Sequence, residues 1–220
     1  MARKIQPDET FETLRDEVDF TVARLEDEPL AAALVARTAE WQTRSDATEQ
    51  TARAVQREAT RVDAARQGGN EALDNASTHF GDNLLSAVNK DRTSARWRGF
   101  YRTTVSDFNR KPLGEQAAAV RGWLTDSQDP VLLAEKEPLE TATVRVERAT
   151  VRENALASRR GDLWQAREAL AAFLTMERDT LHDDLSAIAR SQKLPRSWPS
   201  SFFRTGDTPP KKPTPVVPPG

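Results

Sequence analysis

Residues 139–188 read LETATVRVERATVRENALASRRGDLWQAREALAAFLTMERDTLHDDLSAI, and this stretch decides the fold. Steps of three and four residues land on Leu139, Ala142, Val146, Ala149, Glu153, Leu156, Arg160, Leu163, Arg167, Leu170, Leu174, Glu177, Leu181, Asp184 and Ile188, and ten of the fifteen are apolar. No proline falls between Leu139 and Leu194, so helix is the regular structure that fits. A stripe at this spacing is a coiled-coil seam, which is buried only against another helix. The rest of the chain has to supply that partner.

Working outward, Pro130 and Pro138 sit where helices accept proline, in a first turn. Ahead of them a short helix is predicted around Ala117 to Leu124, after the Pro112 and Gly114 break. Between Pro29 and Pro112 lies a second proline-free arm, whose heptad phase runs through Leu34, Thr38, Trp41, Ser45, Thr48, Ala52, Val55, Ala59 and Val62. Gly68-Gly69-Asn70 reads as a stop, because glycine accepts the left-handed conformation that ends a helix and asparagine caps the next one. A helical hairpin is therefore expected at 68–70. The returning helix shows Leu73, Ala76, Phe80, Leu84 and Ala87, loses its pattern across Asn89 to Ser94, and regains it at Trp97, Tyr101, Val105 and Phe108. An acidic first helix, capped by Asp8, places Phe11, Leu14, Val18, Val22 and Leu25 at helical spacing.

Inside the organising stretch, Arg159-Arg160-Gly161-Asp162 with Gln165 carries helix-end and helix-start signals together. The heptad phase passes through Gly161 unshifted, and one internal glycine costs only about 1 kcal/mol. Either a second hairpin forms at 160–162 or one helix of roughly 50 residues runs through. Leu85-Ser86-Ala87-Val88 and Leu185-Ser186-Ala187-Ile188 form a faint internal repeat that would match the hairpin.

The composition agrees with an all-α chain. Alanine, the strongest helix former, is the commonest residue at 31, while there are two isoleucines and one tyrosine. An alanine-rich seam buries little area per residue, so the expected architecture is an elongated antiparallel helical bundle or coiled coil over residues 1–194. Residues 195–220 differ: eight of the thirteen prolines lie there, and residues 208–220 read as a disordered, polyproline-prone tail. Between bundle and tail, Trp198, Phe202, Phe203 and Arg204 either fold back onto the bundle end or form a docking peptide.

With no cysteine, disulfides, thiolate metal sites and cysteine nucleophiles are excluded. The N-terminus turns acidic at once, and no apolar run approaches the roughly 20 residues that span a bilayer, so a soluble cytoplasmic protein is expected. Arginine outnumbers lysine 25 to 7, which with the alanine content suggests a GC-rich bacterial genome. Neither histidine stands in the Glu-x-x-His spacing of di-iron bundles: Ala76 precedes His79 by three residues, and Asp179 precedes His182. No phosphate-binding loop or serine triad is legible, and no metal or cofactor is expected.

The most distinctive surface is Lys90 to Lys111, with seven basic and two acidic residues interleaved with Trp97, Phe100, Tyr101 and Phe108. At 100° per residue the aromatics fill one arc, while Arg92, Arg96, Arg98, Arg102 and Arg110 lie on or beside the opposite face. That predicts buried rings and solvated arginines. The same residues suit nucleic acid, through phosphate contacts and base stacking, or the acidic arm of a second copy. The expected function is a non-enzymatic structural or protein–protein interaction module that binds a protein partner or itself. Nucleic-acid binding through residues 90–111 is the alternative.

Overall fold

In the computed structural model, which describes residues 5, 6 and 8–204, the chain is all-α. Helix α1 is Phe11–Asp27, followed by a 3₁₀ segment, Ala32–Thr38, and α2, Ala39–Ala87. Four short helices come next: α3 (Ala95–Arg98), α4 (Val105–Asn109), α5 (Leu113–Asp126) and α6 (Pro130–Ala134). Helix α7, Lys136–Ser191, and a 3₁₀ turn, Pro199–Phe202, complete the chain. Among the described residues there is no strand, and no helix is long and apolar enough to cross a membrane. The polyproline tail expected at 208–220 lies outside the described residues.

The hairpin expected at 68–70 does not form. Helix α2 is continuous for 49 residues through Gly68, Gly69 and Asn70, and no glycine among the described residues has a positive φ. Gly69 lies in the seam, where a Cβ would stand 3.4 Å from Val146 of α7. Its missing side chain serves a close approach of two helices and not a turn. The chain reverses twenty residues later, where Asn89 and Lys90 take φ of 53° and 63°. There Lys90 N–H bonds Leu85 C=O and Asn89 N–H bonds Ser86 C=O, the paired closure of a Schellman end with asparagine at C′. Helix α7 also runs unbroken, for 56 residues through Gly161, so the single-helix alternative holds there. It ends in the same closure, with Lys193 at φ 56°.

The chain divides into two compact units, residues 1–53 with 161–220, and residues 54–160. In the first, Leu14, Val18 and Leu25 of α1 share a core with Trp41, Leu170, Leu174, Leu181 and Leu185. Thr10, not Asp8, caps α1, its side chain accepting from Thr13 N–H. Arg178 is enclosed in this core beside Glu17, 2.9 Å from it. In the second unit, Gly69 faces Val146 and Arg66 donates to Glu153 at 3.3 Å, so the α2 and α7 segments pair antiparallel. Above that pair α3 to α6 close over an aromatic core: Trp123 has ring centroids 5.0 to 5.8 Å from Phe108, Tyr101, Phe100 and Phe80.

Candidate functional site

The segment expected to be one amphipathic helix, residues 90–111, is two short helices joined by a loop. Ser94 caps α3 by accepting from Trp97 N–H, and Thr104 and Asp107 cap α4 through a reciprocal box. Two competent N-caps eleven residues from start to end leave no room for a continuous helix. Trp97, Tyr101 and Phe108 are buried as predicted. Tyr101 O–H donates to Ser77 C=O at 2.6 Å and Trp97 Nε1–H to Thr103 C=O at 3.1 Å, so the polar end of each large ring is satisfied inside the unit. Burial, helped by the charge of Asp82, pushes the Tyr101 hydroxyl pKa far upward.

The arginines part company. Arg96 is committed to the fold: Nε and Nη2 donate to the two carboxylate oxygens of Asp129 at 2.6 and 2.9 Å. That pairing holds the Asp129 carboxyl below its ordinary pKa, and the same carboxylate caps α6 through Val131 and Leu132 N–H. Arg92 is exposed in the turn after α2. Arg98 and Arg102, also exposed, do not stand opposite the aromatics as a helical arc requires. The loop after α3 brings them, with Lys111, to the rim of a cavity of about 600 Å³ lined by Phe100, Phe108 and Trp123. Lys111 Nζ lies 5.7 Å from the Phe108 ring centroid, a cation over an aromatic face. Asp91 offsets part of the Arg98 charge, and Asp107 stands 3.9 Å from Arg110. Arg102 and Lys111 have no carboxylate in ion-pair range among the described residues. The basin is thus cationic at its mouth and aromatic at its floor.

The second candidate segment belongs to the first unit. Phe202 and Phe203 are buried in its core, and Trp198 packs against that core half-buried. Arg204 pairs with Asp16 at 3.0 Å. These side chains are the fold-back arrangement, which takes the two phenylalanines out of any docking peptide. Phe203 lies 5.2 Å from the Arg178 guanidinium, so the segment helps to enclose the buried ion pair.

One constellation had no signal in the sequence. His79 Nδ1 lies 2.9 Å from Glu135, and Asn83 Nδ2 donates to the same carboxylate at 2.8 Å. The three residues come from α2 and from the residue just after α6, 52 to 56 positions apart, a separation no local spacing encodes. His79 and Glu135 border a cavity of about 480 Å³ that Arg145 also lines. Among the described residues His79 is hydrogen-bonded to Glu135 and Asn83 and to no serine or threonine hydroxyl. No group of three metal-ligating side chains comes together among the described residues either. Comparison with protein families, curated proteins and solved structures gives no match.

Proposed function

We propose that this protein is a non-enzymatic interaction module, a bacterial cytoplasmic scaffold or assembly factor, whose second unit presents the Arg98–Arg102–Lys111 basin to an anionic partner. The observation that carries this reading is the placement of three exposed cations around an aromatic floor. Solvated arginines on an ordinary helix face spread away from the core. Here the two short helices and their loop gather them at the rim of the aromatic cavity, with Lys111 over the Phe108 ring. A charged rim around an apolar centre is how protein interfaces are commonly built, the rim steering the partner and the centre supplying the burial.

Nucleic acid is the second reading, favoured by the same juxtaposition, since cations that track phosphates beside rings that stack on bases are the parts of a single-strand binding site. One titration separates them. Labelled polyglutamate and a labelled oligothymidylate are each titrated with the wild type and with the Arg98→Glu, Arg102→Glu, Lys111→Glu variant, at low and high salt. The proposal expects salt-sensitive binding of polyglutamate that the triple variant lacks. Tight binding of the oligonucleotide alone would favour the second reading, and no binding of either would overturn both.

A further inference from the structure

The basin has a complement on the same chain. The outward side of α1 carries exposed Glu12, Asp16, Asp19, Glu26 and Asp27, with Arg15 the one exposed cation of the helix. At 100° per residue Glu12, Asp16, Asp19, Phe20 and Asp27 fall within an arc of roughly 100°. Phe20 lies at the edge of that arc with 36% of its surface exposed, and Leu30, just beyond the helix, is 45% exposed. Asp16 and Asp19 are partly engaged by Arg204 and Arg15, at 3.0 and 3.7 Å. Glu12 and Asp27 have no cation in range among the described residues. An acidic helix face with an aromatic residue at its edge is the inverse of a cationic rim with an aromatic floor.

We infer that the basin is occupied by the α1 face of a second copy of this chain. Phe20 lies on the floor that Phe100 and Trp123 form in edge-to-face contact, and the carboxylates beside it meet Arg98, Arg102 and Lys111. The inference rests on the basin being a site for an anionic partner and adds the identity of that partner. A helix laid into a groove with one aromatic anchor is an established mode of recognition, and anchors of this kind dominate interface energies. The net charge of the chain is only −2, so copies do not repel one another strongly at long range. A polyphosphate, by contrast, gains nothing from that overall sign. The two surfaces are different, which makes the contact heterologous: every copy that docks its α1 keeps a basin free, and association proceeds to rings or open chains.

Charge exchange tests this on the whole protein. A basin variant (R98E, R102E, K111E) carries acidic groups on both surfaces, and a helix variant (E12K, D19K, D27K) carries basic groups on both. Sedimentation velocity at about 0.02 M and about 0.5 M salt reads the association. The expected result is concentration-dependent association of the wild type at low salt that fades at high salt, two variants that stay monomeric, and recovery of association when the variants are mixed. Phe20→Ala, on an exposed position, should weaken wild-type association roughly tenfold or more with its melting temperature unchanged. A wild type that stays monomeric at low salt while still binding polyglutamate through the basin would overturn this inference and leave the anionic-partner reading standing. Association that both triple variants retain, or a mixture of variants that stays monomeric although each melts like the wild type, would also overturn it.

Discussion

Arg178 and Glu17 meet at 2.9 Å with 2% and 5% of their side chains exposed, an ion pair from α7 and α1 set among leucines and phenylalanines. Taking two charges out of water is costly, and their mutual attraction compensates only while both are present. Glu17→Ala should therefore destabilise the protein by about 3–5 kcal/mol, and Arg178→Ala by a similar amount, because each removes one half of a buried ion pair. Urea unfolding measures both. Glu17→Leu with Arg178→Met should recover much of the loss, since an apolar pair of similar volume has no desolvation cost.

Glycines on these helices respond in opposite ways. A Cβ at Gly81 would lie 2.4 Å from the Val105 methyl, and Val105 is β-branched and held by the α4 cap. Gly81→Ala is expected to cost about 1–3 kcal/mol by overpacking, despite the helix propensity gained. At Gly161 nothing lies within 4 Å. Gly161→Ala should stabilise by up to about 1 kcal/mol, and a stability loss there would show that the turn signals around it are used after all.

Tyr101 gives the protein an alkaline limit. The folded hydroxyl has its pKa raised by burial, so the folded state keeps a proton that the unfolded chain releases above about pH 10. Its contribution is complete below that pH, and stability should fall by about 1.4 kcal/mol per pH unit above it. Tyr101 is the single tyrosine of the chain, so phenolate absorbance follows this one group. Absorbance should rise together with unfolding and not before it, and Tyr101→Phe should shed this component of the alkaline loss.

Asp129 acts at the other end of the scale. Its folded pKa is lowered, first by the hydrogen bonds from Arg96, so the stability it contributes is present above about pH 4 and is lost as pH falls through the lower folded value. Compared with the wild type, Asp129→Asn should be less stable at pH 7 and converge with it in acid. A constant difference down to pH 2 would mean that the cap to α6, and not the charge, sets its role.

Much of this architecture was legible in the hydrophobic phase. Leu139, Ala142, Val146, Ala149, Leu156, Leu170, Leu174 and Leu181 are all buried, as their spacing requires. Beyond Leu174 the buried set shifts to Arg178, Leu185 and Ala189, one residue past the expected Glu177, Asp184 and Ile188. A helix of 3.6 residues per turn drifts against a seven-residue repeat, and this shift is what brings Arg178 inside. The glycine pair at 68–69 misled because glycine serves close approach as readily as it serves turns, and only Val146, far along the chain, distinguishes the two. The true reversal had a local signal, Asn89 at a helix end, hidden in a stretch whose pattern had already faded. Burial of Trp97, Tyr101 and Phe108 followed from their spacing, whereas the gathering of Arg98, Arg102 and Lys111 did not. It depends on a loop between two capped short helices, which the angular arithmetic of one long helix cannot represent.

The most direct measurement of the proposed interaction surface is hydrogen–deuterium exchange of the full chain with and without polyglutamate at low salt. The account predicts slowed exchange confined to the basin, across residues 98–111 and the turn of α5 that carries Trp123, with no change in the Arg98→Glu, Arg102→Glu, Lys111→Glu variant. Protection that appears elsewhere, or protection at the basin that survives the triple substitution, would contradict it.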